Sequence, residues 1–233
     1  GYDMMLLRLT NENITEAKPR LLLTASIHAR EYAPAELAGR FAAYLIENYN
    51  TNADVHWLLD YNEIYIMFLA NPDGRKEAEI GREWRKNTNE NYCGPTSIYR
   101  GADLNRNFDF YWGCCGGSSG DQCSEVFRGP IAASEPEVDA IQNVMLSLFP
   151  DQREDSLSAP APEDATGVYI DLHSYGGDVM WSWGFTNTNA PNNADLQTLG
   201  RKFAFYNGYY PHKSYTLYAT DGSTEDYIYG QLG

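Results

Sequence analysis

The residues 21–36, LLLTASIHAREYAPAE, raise the first chemical question. An apolar run that reads as a buried strand ends in His28, and Arg30 and Glu31 follow at once. A strand interior rarely places two charged groups beside an imidazole at its exit, whereas a metal or anion site does. His28 and Glu31 offer an imidazole nitrogen and a carboxylate oxygen, a donor set that suits zinc. A catalytic zinc takes three protein ligands and keeps one position open, so a third donor is required. Three other histidines exist: His56, His173 and His212. His173 also closes an apolar run, in VYIDLHSYGG, and histidines at the carboxyl ends of two strands can lie side by side at one sheet edge. His56 lies in a helix-like surface segment and His212 follows a proline in an expected loop, so His173 is the expected third ligand.

A second chemistry comes from arginines. EWRKN carries Arg85, and GADLNRNFD carries Asn105 and Arg106. An amide beside a bidentate guanidinium is well suited to clasp a carboxylate.

Positioning these groups requires alternating strands and helices, which predicts an α/β domain. Strands are predicted over 4–10, 21–27, 63–69, 168–173, 179–183 and 213–217. Apolar residues at three- and four-residue spacing predict a helix over 32–49. A second helix is predicted over 134–149, opened by Ser134 with Glu137 three places on as a capping box. A third runs from 193 and is ended by Gly208. Residues 71–125 and 150–166 read as long irregular stretches, and the first is of a size that builds sites.

The 233 residues, 43% of them hydrophobic, supply ample core for one large domain or two small ones. The net charge of −15 opposes nucleic-acid binding and favours cationic partners. No apolar run reaches the roughly 18 residues of a membrane span. The first residues lack a signal peptide's basic flank and cleavage site, so the chain is expected to be a processed or excised domain. All four cysteines, Cys93, Cys114, Cys115 and Cys123, cluster in one Gly- and Ser-rich region. Adjacent Cys114 and Cys115 fit a zinc knuckle badly, so loop-stapling disulfides of an oxidising compartment are expected, their pairing left open.

ASIHAREYAPAE, NPDG, WRKN, GADLNRNFDFYWG, FRGPIAASEPEVDAI, DLHSYGGDVMWSWG and LYATDGSTEDYIYG occur in this order. Together they resemble the zinc metallocarboxypeptidases of the pancreatic carboxypeptidase A/B type. WGCCGGSSG likens the chain further to the bacterial carboxypeptidase T kind. The resemblance spans residues 1–233 and implies one catalytic domain, a mixed, mostly parallel sheet of about eight strands flanked by helices. It implies one Zn2+ held by His28, Glu31 and His173, with Arg85 polarising the scissile carbonyl. Asn105 and Arg106 would bind the substrate's terminal carboxylate, Tyr218 would close over it, and Arg30 and Tyr175 would line the cleft. Asp103 would orient a metal-bound imidazole. Cys93 and Cys123 would pair, leaving Cys114 and Cys115 to join as neighbours.

The implied activity is exopeptidase cleavage at peptide and protein C-termini by a secreted or periplasmic monomer. Glu225, seven residues after Tyr218, suggests a preference for basic C-terminal residues. The family's general-base glutamate lies on a strand after the tyrosine loop, and no residue here aligns with it. The chain is therefore expected to lack the C-terminal part of the family domain. A zinc- or peptide-binding remnant without catalysis, and an amidohydrolase acting on branched or cell-wall peptides, are the alternatives.

Overall fold

A computed structural model describes residues 1–233, which divide into two compact units. The first comprises residues 1–85 and 166–174, the second residues 86–165 and 175–233.

The first unit is built on a four-stranded sheet in the order β1-β3-β2-β4. These strands are β1 (Leu6–Leu9), β2 (Arg20–Ala25), β3 (Glu63–Met67) and β4 (Val168–Leu172). β2 lies between β3 and β4, parallel to both, with Leu23 opposite Ile66 on one side and Ile170 on the other. Its continuous apolar run suits a strand covered on both faces. β1 adds to the outer edge antiparallel. Helix α1 (Tyr32–Asn48) buries Pro34, Ala38, Ala42 and Leu45, one face at helical spacing. This face packs with Leu23, Ile64 and Ile66 of the sheet and with Val55 and Leu59 of α2 (Ala53–Tyr61). Burying that cluster fixes the β2–α1 corner, where His28 and Glu31 lie.

The helix-like segment around His56 is α2, and one further helix here went unread in the sequence. α2 is capped by Asn52, whose side chain accepts from Asp54 N and Val55 N. α3 (Pro72–Glu79) starts inside the stretch expected to be irregular, with Asn71 as cap and proline in its first turn.

The second unit contains α4 (Pro136–Leu148), β5 (Asp178–Trp181), α5 (Asn193–Asn207), β6 (Tyr210–Lys213) and α6 (Thr224–Leu232). β5 and β6 pair in parallel as a two-stranded sheet, so six strands of the implied eight are present. The strand expected over 213–217 lies instead at Tyr210–Lys213, and Ser214–Thr216 forms a 3-10 turn. His212 accordingly sits in a strand, paired with Met180, and not in a loop. α5 ends as predicted, with Gly208 in the left-handed region at φ 72°.

The expected capping box at Ser134 does not form. The helix cap is Glu135, and no side chain caps α4. The reason is tertiary. Glu135 is fully buried and accepts hydrogen bonds from Asn87, Asn89, Tyr92 and Ser134, tying together the two ends of a long segment that has no α-helix or strand. Lys86 adds bonds to the carbonyls of Gln122 and Ser124. Two disulfides join Cys93 to Cys123 and Cys114 to Cys115, as the resemblance implies.

Candidate metal centre

β2 ends at Ala25, and Ser26, at φ 59°, turns the chain out of the sheet. The turn is held by Ala29 N donating to Arg85 O, by Glu31 N donating to His28 O, and by Ser26 Oγ donating to Glu31 O. Asn71 Nδ2 donates to Ile27 O from beneath. Glu31 stands at the N-cap of α1, but its carboxylate makes no cap bond. It points instead at the two imidazoles.

Glu31 Oε1 lies 2.8 Å from His28 Nδ1, and Oε2 lies 3.1 Å from His173 Nδ1. The two Nδ1 atoms are 3.2 Å apart. Tetrahedral zinc with bonds near 2.0–2.2 Å needs donors about 3.3 Å from one another. The observed spacing fits that requirement, slightly drawn in. At 3.2 Å the two ring nitrogens are close enough to share a proton or to bind one metal ion together. His28 and Glu31 are buried, and the His173 side chain keeps 30% exposure, which leaves one open side.

Electrostatics agree. Burial works to raise the Glu31 pKa, but hydrogen bonds from His173 and His28 outweigh it and hold the carboxyl well below its usual range. Burial works to lower His173, yet Asp171 and Glu31 outweigh it and raise the imidazole well above its ordinary value. The pocket favours positive charge on the donors' side, which a divalent ion satisfies directly.

Asp171 was not singled out in the sequence. Its Oδ2 lies 2.9 Å from His173 Nε2, and its Oδ1 accepts from Thr24 Oγ1 at 2.7 Å. A carboxylate on Nε2 fixes the tautomer that offers Nδ1 to a metal. The signal was available, since residues two apart in a strand face the same way. Ser174 N adds a bond to Glu31 Oε2.

Of the other expected residues in this unit, Arg85 is half-buried and Arg30 is exposed with its guanidinium 3.4 Å from Glu83 O. His56 lies in α2 against Tyr49 and is not among the gathered donors.

The second unit holds the rest. Asp103 is buried, and its Oδ1 accepts from Asn105 N to set the 3-10 turn Leu104–Arg106. Asn105 Oδ1 accepts from Thr224 N, and Arg106 Nε donates to Gly117 O at 3.0 Å. Tyr175 is fully exposed, and Tyr218 is 54% exposed. Glu225 Oε1 accepts from Ser214 Oγ at 2.8 Å. Beside it, Gly184 leaves room for these side chains, since an added Cβ would meet Thr220 Oγ1 at 2.1 Å and Glu225 Oε1 at 3.1 Å and they would have to turn away. Asp226 is pushed up to about 8 by burial and by Glu225, against the backbone N–H groups of Gly184 and Phe185 that it accepts.

A family profile described as zinc carboxypeptidase matches residues 1–233. The chain belongs to the zinc carboxypeptidase family. It is 32% identical over 252 residues to a zinc carboxypeptidase of Saccharothrix mutabilis subsp. capreolus, covering 99% of this chain and 52% of that protein. Among solved structures it is similar to thrombin activatable fibrinolysis inhibitor, with TM-score 0.81, 26% identity, 98% of this chain and 55% of that one. The carboxypeptidase A of Helicoverpa armigera superposes with TM-score 0.79 at 27% identity, covering 97% of this chain and 53% of the other. The chain thus spans about half the length of the curated relatives it matches. The mixed, mostly parallel sheet flanked by helices is that of the family. No helix is long and apolar enough to cross a membrane.

Proposed function

We propose that the protein is a zinc-dependent exopeptidase that releases single residues from peptide and protein C-termini, with a preference for Lys and Arg. The observation that carries this reading is the convergence of His28 Nδ1, His173 Nδ1 and both Glu31 oxygens, backed by Asp171. Family membership supplies the reaction class.

Zinc, when bound there, lowers the pKa of a coordinated water and polarises a carbonyl. The chain's own residues do the remaining work. Glu31 and the two imidazoles hold the metal, with the tautomer of His173 set by Asp171 and Asp103 orienting an imidazole. Arg85 donates to the oxygen on which negative charge develops. Asn105 and Arg106 take the terminal carboxylate, which confines the activity to chain ends. Tyr218, exposed, closes over the bound end, and Arg30 and Tyr175 line the approach. Glu225 meets a basic side chain. No residue of these 233 is assigned as general base, a contribution typically worth about 10²–10⁴-fold. The resemblance assigns it to a strand beyond the tyrosine loop. Two disulfides support a location outside the reducing cytoplasm.

The test is metal analysis together with hydrolysis of matched N-acylated dipeptides by the product of the complete gene. One zinc per chain, faster cleavage before Arg than before Phe, and no cleavage of the C-terminal amides are expected. Bound zinc without turnover makes the protein a binding module, and release of glutamate from branched peptides makes it an amidohydrolase. A faster Phe substrate overturns the basic preference alone.

A further inference from the structure

Asp221 is fully buried, and its carboxylate does a job that the proposed reaction does not yet use. Its Oδ2 accepts two backbone hydrogen bonds, from Cys115 N at 3.0 Å and Gly117 N at 3.1 Å. Its Oδ1 has no hydrogen-bond partner. A buried carboxylate is costly unless its charge is answered, so these two charge-assisted bonds are the strong contacts holding the turn. On the other side of that turn, Gly117 O accepts from Arg106 Nε at 3.0 Å. One peptide segment therefore connects Asp221 to the guanidinium proposed to bind the substrate's terminal carboxylate.

The segment has little freedom to place its groups elsewhere. Cys114 and Cys115 are bonded to each other, closing a small covalent ring that contains the donating Cys115 N and lies two residues before Gly117. Gly117 is pressed on the loop that follows Tyr218, since an added Cβ would stand 2.5 Å from the Cα and carbonyl carbon of Thr220. Gly222 likewise passes Arg106 closely, an added Cβ falling 2.5 Å from Arg106 O. Gly222 O also accepts from Phe108 N.

We propose that Asp221 is a positioning residue for terminal-carboxylate recognition. It clamps the Cys115–Gly117 turn, which the neighbouring disulfide keeps in shape, so that the Gly117 carbonyl aims Arg106. This rests on the reading that Arg106 binds the carboxylate.

The experiment measures calorimetric binding of an arginine-ended peptide to the zinc-loaded protein. The peptide's last amide is replaced by an uncleavable methyleneamine, and it is used both as free acid and as C-terminal amide. Asp221→Ala is expected to weaken acid binding about tenfold, the loss typical of a displaced charge-assisted bond, with amide binding and zinc content unchanged. Asp221→Asn, which still offers one oxygen to both N–H groups, is expected to stay within about threefold. A merely structural role would move acid and amide together. Cys114→Ser with Cys115→Ser, both exposed positions, opens the same turn and gives the same acid-selective loss even if Asp221→Ala fails to fold. Unchanged acid binding in a folded Asp221→Ala protein or in the paired serine variant overturns the proposal while the parent reading stands. If Arg106→Ala leaves acid binding intact, the carboxylate reading falls, and this proposal falls with it.

Discussion

Replacing Asp171 by asparagine is expected to weaken zinc binding about 10- to 100-fold while the chain stays folded. The magnitude follows from the contact. Asp171 Oδ2 lies 2.9 Å from His173 Nε2, inside a pocket where burial opposes the charged imidazole and Asp171 is the first group to counter it. Once His173 Nδ1 is engaged by a metal, the ring becomes more acidic at Nε2, and the carboxylate strengthens the ligand by accepting that proton's hydrogen bond. A hydrogen bond to a charged group contributes about 1.5–3 kcal/mol, and the affinity range corresponds to about 1.4–2.8 kcal/mol, so the two scales agree. Asparagine keeps the volume and still accepts from Thr24 Oγ1, which donates to Asp171 Oδ1 at 2.7 Å in the parent. Competition against a chromophoric zinc chelator reads the affinity, and urea unfolding of the metal-free proteins checks that the fold is intact. If Asp171→Asn binds zinc within twofold of the parent while Glu31→Ala loses it, the orienting role assigned to Asp171 is wrong.

Three further outcomes are expected. Asp226, raised to about 8 from 3.8, keeps its proton in the folded chain where the unfolded chain has released it. Its contribution to stability is therefore greatest below about pH 4 and falls by up to about 1.4 kcal/mol per pH unit until about pH 8. Urea unfolding of Asp226→Asn should lack that decline, and parallel pH profiles for the two proteins would count against it. Glu225→Gln should reduce the ratio of Arg to Phe cleavage about tenfold or more by removing the charge partner, which paired kcat/KM values would show; an unchanged ratio removes Glu225 from the pocket assignment. Cys93→Ala with Cys123→Ala releases a loop of sequence separation 30 and should cost about 3–4 kcal/mol by chain entropy. Denaturant midpoints would measure it, and a cost near zero would mean the Glu135 hydrogen-bond hub suffices.

Legibility in the sequence followed the range of the forces involved. The strand ends at His28 and His173 and the amphipathic helix after Glu31 are local patterns, and each lies within a residue or two of its reading. Local logic failed where distant groups decided. Ser134 looked like a cap, but buried Glu135 was already bonded to Asn87, Asn89 and Tyr92, more than 40 positions away. The β6 strand was displaced because YTLY has strand-forming residues while YPHK carries a proline. Pro211 nevertheless lies opposite Val179 in the parallel pair, on a two-stranded sheet where every strand is an edge. Asp171 could have been read from its position two before His173. Asp221 could not, since its partners Cys115 and Gly117 lie 106 and 104 residues away.

X-ray absorption at the zinc edge of the purified protein tests the shared-ion geometry most directly. One zinc per chain is predicted, with only nitrogen and oxygen neighbours at about 2.0–2.2 Å and the multiple-scattering signature of two imidazoles, one of which disappears in His173→Ala. Sulfur neighbours near 2.3 Å, or a zinc spectrum unchanged by His173→Ala, would contradict it.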